Sequence, residues 1–203
     1  IDNHDNKRFT RLAIEKDQDT LTQLKQALTY MYSAPGIPII YYGTEIALDG
    51  GDDPDNRRMM EFKDHELVDY ISKLGEIRNS HRALTYGEME VLFEQAGMAI
   101  IQRTFEDEII ITAINNTTSD QTVSLSEEVL GENIQLQALL KEKIVTEKDG
   151  YEISIPKQSS EIYLVEEGTK QMNALPWGIA VMSILVIGLI ALVSRKKVIN
   201  NRN

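Results

Sequence analysis

Cysteine is absent from the 203 residues. That removes disulfide frameworks, thiolate metal sites and cysteine nucleophiles from the account. Positive charge is scarce: 21 Lys and Arg stand against 32 Asp and Glu, for a net charge of -11. No basic stripe is interleaved with aromatic residues, so the chemistry of phosphate neutralisation is missing and nucleic acid is excluded as a partner. Nothing is unusual in the 12 glycines, the 5 prolines or the 42% hydrophobic content, which suit one or two folded domains rather than a disordered or collagenous chain. The chain opens at Ile1 without an initiator methionine or a charged-then-apolar leader, so the expectation is that processing or truncation has removed what came before.

Charge is missing altogether from one stretch, Ala174 to Val193, which is followed by Arg195, Lys196, Lys197 and Arg202 with no acidic residue among them. Twenty residues at about 1.5 Å each cover the roughly 30 Å hydrocarbon core of a bilayer. The expectation is a single transmembrane helix over 174–194, with Trp177 as an interfacial anchor. The basic tail, 195–203, is then cytoplasmic and the preceding residues lie outside the cell membrane. A cell-wall sorting signal is the competing reading of such a span, but Leu175-Pro176-Trp177-Gly178 lacks the threonine of the sorting pentapeptide.

Ahead of the span the periodicity changes once. Leu21, Leu24, Leu28, Met31 and Tyr32 recur at helical spacing, with Asp19 or Thr20 as the N-cap and Pro35-Gly36 as the stop. Ile37 to Tyr42 is apolar at nearly every position and reads as a strand buried on both faces, as in a parallel sheet. A loop rich in glycine and aspartate runs from Asp49 to Arg58. Leu67, Tyr70, Ile71, Leu74 and Ile77 then form a second helical stripe, with Asp64 as its expected cap. This order belongs to an α/β architecture.

From about residue 84 the pattern is one of short strands: Glu90–Phe93, Met98–Phe105, Ile109–Asn115, Gln121–Leu125, Ile134–Leu140, Tyr151–Ile155 and Ser160–Val165. They are separated by turn clusters such as Glu106-Asp107, Asn115-Asn116-Thr117-Thr118 and Lys148-Asp149-Gly150. A small antiparallel β-sandwich is expected. The Asn-x-Thr triplets at Asn115 and Asn116 read as turn residues rather than glycosylation acceptors. The expected domains are 1–83, 84–166, a linker at 167–173, the span at 174–194 and the tail at 195–203.

Two clusters can carry chemistry. Ile1 to Phe9 packs an imidazole, acidic and amide neighbours and two cations into nine positions; Asp52 to Arg58 is an acidic turn closed by two arginines. Singly, each reads as a solvated loop, the second with room for a cation held by oxygen ligands. Together, at their spacing, Asn3-His4-Asp5, then Gly36-Ile37-Pro38-Ile39-Ile40-Tyr41-Tyr42-Gly43-Thr44-Glu45, then Gly50-Gly51-Asp52-Asp53-Pro54-Asp55-Asn56-Arg57 closely resemble the end of the catalytic barrel in the α-amylase family, glycoside hydrolase family 13. The resemblance covers residues 1 to 82 by motif, and the β domain by position and character.

The resemblance implies the fold class α/β, as the last two units of an incomplete TIM barrel, followed by an antiparallel β-sandwich; the one transmembrane helix lies outside it. It implies a hydrolase cleaving α-1,4-glucans such as starch and maltodextrin with retention, which the anchor reading makes extracytoplasmic. The seventh barrel strand would end at Asn3-His4-Asp5, and the eighth would be Gly36 to Glu45. Asp5 would be a transition-state stabiliser, and His4, Asp53 and Arg57 would bind the sugar. Tyr42 and Glu45 would serve packing. Retaining glycosidases need a nucleophilic carboxylate and a carboxylic acid about 5 to 5.5 Å apart; in the family these lie on the fourth and fifth strands, whose segments this chain does not contain. A (β/α)8 barrel takes about 250 residues, so the chain is expected to be the C-terminal part of a longer enzyme and inactive alone. No cofactor is required by this segment, and Ca2+ belongs to what the family admits in the whole protein. A neopullulanase or cyclomaltodextrinase-type relative, and a non-catalytic glucan-binding surface protein, stay open as alternatives. A cysteine-free enzyme on one membrane helix suits a Gram-positive cell surface.

Overall fold

Residues 1–86 fold as helices and loops, and residues 88–167 as strands. The computed structural model describes residues 1–141, 144–145 and 151–168. The expected span at 174–194, the tail at 195–203, most of the linker and the turn at Lys148-Asp149-Gly150 lie outside the described residues. Among the described residues no helix is long and apolar enough to cross a membrane.

Helix α1 spans Phe9–Glu15, α2 Thr20–Ser33, α3 Glu66–Ser80 and α4 Arg82–Tyr86. Asp19 caps α2 as its sequence position suggests, its carboxylate accepting from the Thr22 N–H at 2.8 Å, which satisfies one of the amides a helix start leaves free. The cap of α3 is His65 rather than Asp64: the helix begins at Glu66, and His65 Nδ1 accepts from the Leu67 N–H at 3.2 Å. Helix α2 ends at Ala34, whose extended backbone precedes Pro35, because a residue before proline is forced out of the helical region. Its last carbonyls are taken up by arginines from elsewhere. Arg78 of α3 donates to Tyr32 O at 2.5 Å and to Gly36 O at 2.6 Å.

The β region has strands β1 Glu88–Gln95, β2 Met98–Phe105, β3 Glu108–Asn115, β4 Gln121–Leu125, β5 Ile134–Ala138, β6 Ile144–Val145, β7 Tyr151–Ile155 and β8 Ser159–Glu167, with a single helical turn, α5 Glu127–Leu130, after β4. The strands form an antiparallel six-stranded sheet in the order β1-β2-β3-β8-β5-β6 and a two-stranded sheet, β4-β7. The expected strands are present, lengthened at β1 and β8 and shortened at β5. Ile100, Ile111, Leu136, Val123 and Ile153 fill the space between the sheets. Adjacent residues of a strand point to opposite faces, so Ile110, next to Ile111, turns the other way with Ile162. There they pack against Leu24, Leu28, Leu74 and Leu84 of the helices. The helices, the large sheet and the small sheet therefore form three layers, and Ile1–Gly168 is one compact unit.

Asn115, expected as a turn residue, is the last residue of β3, and it is wholly buried with its side chain bracing the turn that follows. Its Nδ2 donates to Ser119 O and Ile155 O while its Oδ1 accepts from Thr117 N.

The expected strands of the barrel end are not formed: residues 1–8 and 34–43 carry no strand pairing, and no parallel sheet is present among the described residues. A strand is defined by its ladder of hydrogen bonds, and these segments have no neighbouring strand among the described residues to bond to. Ile37 and Ile39, which the parallel-sheet reading buries, are 88% and 75% exposed.

Candidate active site

The site sits where three loops converge: residues 1–8 before α1, residues 41–50 with a 3-10 turn at Thr44–Ile46, and residues 51–58 with a 3-10 turn at Asp55–Arg57. What joins them is a buried cation. Arg8 is fully buried; its Nε donates to Asn56 O and its Nη1 to Tyr42 O, both at 2.8 Å. The guanidinium lies over the rings of Tyr41 and Tyr42, 4.4 and 4.8 Å from their centroids, where the negative face of each ring offsets its loss of water. The backbone N–H of Arg8 donates to Gly50 O at 3.0 Å. One arginine thus touches all three loops.

Asp2 supplies the countercharge. Its side chain is buried, with Oδ2 3.8 Å from Arg8 Nη1. Its oxygens accept from the Phe9 N–H at 2.7 Å and from the Thr44 hydroxyl at 2.6 Å. A buried carboxylate bonded on both oxygens and next to a cation is a structural group rather than a reagent.

The four residues expected to carry function lie outside this anchor, facing solvent. His4 and Asp5 are 66% and 76% exposed along their side chains, with His4 Nε2 3.3 Å from Asp5 Oδ1. Asp53 and Arg57 are 58% and 45% exposed and ion-paired to each other across one turn. Exposed ion pairs of this kind add little to stability. The two pairs are brought together through Asn56, which is wholly buried: its Nδ2 donates to His4 O at 2.9 Å and to Asn6 O at 3.1 Å. Close approach of backbone makes Gly50 necessary here, since a Cβ at that position would lie 2.6 Å from Asp55 O and 2.8 Å from Asn56 Cα.

Two carboxylates of the acidic loop, Asp49 and Asp55, are held by arginines. Arg11 donates to both oxygens of Asp49, and Arg58 grips both oxygens of Asp55, at 2.7 and 2.8 Å, while reaching Asp49 at 3.3 Å. The hydrogen bond from Arg11 holds the Asp49 carboxyl below the usual carboxylate range, and that from Arg58 does the same for Asp55. Each carboxylate already has a guanidinium as its cation, and bidentate pairs of this kind are the strong ones. Among the described residues no group of three or more His, Asp or Glu is arranged to hold a metal ion. Tyr42 packs on Arg8 and donates its hydroxyl to Arg58 O at 3.0 Å; Glu45 is half-buried beside the Thr44 turn.

Residues 1–71 match the α-amylase catalytic domain, and residues 87–163 match the α-amylase C-terminal domain, in that order along the chain. Both matches are to domains of α-amylases, and each covers less than half of the chain. Among curated relatives, a β/α-amylase of Paenibacillus polymyxa is 43% identical over 126 residues, 60% of this chain and 10% of that protein. A cyclomaltodextrin glucanotransferase of Bacillus sp. (strain 1-1) is 36% identical over 126 residues, 61% of this chain and 17% of that protein. Among solved structures, an Anoxybacillus α-amylase superposes with a TM-score of 0.80 at 49% identity, covering 83% of this chain and 37% of that one. The chain therefore spans about a tenth to a sixth of these two curated relatives.

Sequence reasoning did not single out Asp2, Arg8 or Asn56. Asp2 and Arg8 were visible only as members of a charged cluster. The partners that define Arg8 and Asn56 are backbone carbonyls 34 to 52 residues away, and a carbonyl has no residue type to read.

Proposed function

We propose that this chain is the C-terminal portion of a longer α-amylase-type glycoside hydrolase that cleaves α-1,4-glucans, starch and maltodextrins, with retention at the anomeric carbon. The observation that carries the reading is the pairing of His4–Asp5 with Asp53–Arg57 on adjoining loops tied by Asn56. In this reading Asp5 accepts hydrogen bonds from sugar hydroxyls, and these strengthen as the ring flattens toward the oxocarbenium-like state, which lowers the barrier rather than the ground state. His4 bonds the same ring, and Asp53 and Arg57 hold the neighbouring hydroxyls. The nucleophile and the acid/base carboxylate are assigned to polypeptide upstream, so the chain by itself would not hydrolyse glucans; calcium in the whole protein, if bound, would use ligands from there too.

The apolar run at 174–194 and its basic tail support a single-pass anchor, with the catalytic part outside and the C-terminus in the cytoplasm of a Gram-positive cell. Relatives named as cyclomaltodextrin glucanotransferases and as a cyclomaltodextrinase support a second reading, in which the sugar is transferred or a cyclic glucan is opened. Asp5→Asn in the full-length protein tests the proposal. Turnover of starch should fall by orders of magnitude with the fold intact, because the lost interaction acts mainly on the transition state. Wild-type turnover in that variant would refute the assignment of Asp5. Product analysis on starch and on cyclodextrins separates hydrolysis from transfer.

A further inference from the structure

We infer that Asn56 is the positioning residue of this site: its carboxamide sets the Asp5 carboxylate relative to the Asp53–Arg57 pair. The inference rests on the reading of Asp5 as the transition-state carboxylate. Asp5 has a side chain 76% exposed, with His4 at 3.3 Å as its ion-pair partner, so nothing rigid grips the carboxylate directly. Its place in space comes from the backbone around it, and that backbone is pinned on both sides. Asn3 Oδ1 accepts from the N–H groups of Asp5 and Asn6 at 2.8 and 3.0 Å. Asn56 Nδ2 supplies the opposite half, donating one proton to His4 O and the other to Asn6 O, the carbonyls that flank Asp5.

Only a primary amide does this. A carboxamide nitrogen has two protons in fixed directions, and the two carbonyls two residues apart accept one each. A serine could reach one carbonyl. An aspartate would set an ionised acceptor against two acceptors. Asn56 is itself held from the far side, where its own carbonyl accepts from Arg8 Nε at 2.8 Å, and the next residue along the same 3-10 turn is Arg57. The sugar-holding pair and the carboxylate are therefore linked through one buried side chain. The Asp53–Arg57 loop keeps its own anchor, through the Arg58–Asp55 and Arg11–Asp49 pairs, so loss of the Asn56 amide should release the Asp5 loop more than the Asp53 loop.

The test is a double-mutant cycle on turnover in the full-length protein, with maltooligosaccharide as substrate. Asn56→Ala should lower kcat on the order of 10- to 100-fold, as expected for misplacement by about 1 Å, with KM changed about threefold or less. In the Asp5→Asn background the same substitution should lower kcat about twofold or less, because residues acting as a unit are not additive. Asn56→Ser, which can keep one of the two bonds, serves in the same cycle if the alanine variant does not fold, with far-UV circular dichroism as the check. Wild-type kcat in the Asn56 variants, or a full multiplicative loss on top of Asp5→Asn, would overturn the inference. If instead Asp5→Asn alone leaves kcat unchanged, the failure is that of the functional reading beneath it.

Discussion

Arg103 offers the sharpest test of how the helices are joined to the β domain. It lies on β2, is 1% exposed, and has no carboxylate among its hydrogen-bond partners. Nη1 donates to Ser33 O at the end of α2 at 2.6 Å, Nη2 to Gly87 O at 2.7 Å and Nε to Glu88 O at 3.3 Å. Burial, and the nearby positive charge of Arg78, push its pKa down from the usual guanidinium value. Replacement by methionine keeps the apolar stem and leaves the two short-bonded carbonyls without a donor, at about 1–3 kcal/mol each. Relief from burying a charge returns part of that, since the desolvation of such an ion amounts to several kcal/mol. The expected net loss for Arg103→Met is about 2–4 kcal/mol, with Arg103→Lys intermediate because one ammonium cannot span three carbonyls in a fixed fork. Equilibrium urea unfolding followed by far-UV circular dichroism reads the difference as a shifted midpoint at constant slope. A methionine variant within about 0.5 kcal/mol of wild type, the range of an inert surface change, would refute the idea that these carbonyls depend on the guanidinium.

Gly50→Ala in the full-length protein should leave the β domain untouched and cost glucan turnover about tenfold or more, because its Cβ would press on the backbone of Asp55 and Asn56 and shift the loop that carries Arg57; normal turnover in that variant would show that the loop has slack. Glu161 is buried, with Oε1 accepting from Leu140 N and Ile162 N and Oε2 unbonded among the described residues, and burial raises its pKa. A raised acid binds its proton more tightly folded than unfolded, so its contribution to stability falls as pH rises above the unfolded value near 4.5. Glu161→Gln should therefore unfold at higher urea than wild type at pH 7 to 8, with the gap closing near pH 4, and a gap independent of pH would contradict this. Asp49 and Asp55 have lowered values, so their contribution is present above the unfolded carboxylate range and lost as pH falls below about 4. Asp49→Asn should blunt that acid-side loss, and acid titration of the urea midpoint would expose the contrary case.

The strands of the β domain were legible from alternation and turn residues because both are local: Ile110 and Ile111 take opposite faces by the period of the strand alone. The cap at Asp19 and the stop at Pro35 were legible for the same reason. The motif residues His4, Asp5, Asp53 and Arg57 could be named from their order and spacing. Ile37 to Tyr42 could not be read correctly, since an apolar run states that burial is wanted and says nothing of whether neighbouring strands are present to provide it.

The amino-acid order alone determined the strand and helix stripes of the α2, α3 and β regions and which of their faces are apolar. Tertiary structure decided what the buried charges do. It gave Arg8 and Asn56 their roles through carbonyls far along the chain, set Asp2 against Arg8 and the Thr44 hydroxyl, and turned the acidic loop into a set of arginine pairs. Hydrogen bonds to backbone depend on position in space and not on residue type, so nothing but the folded chain could reveal them.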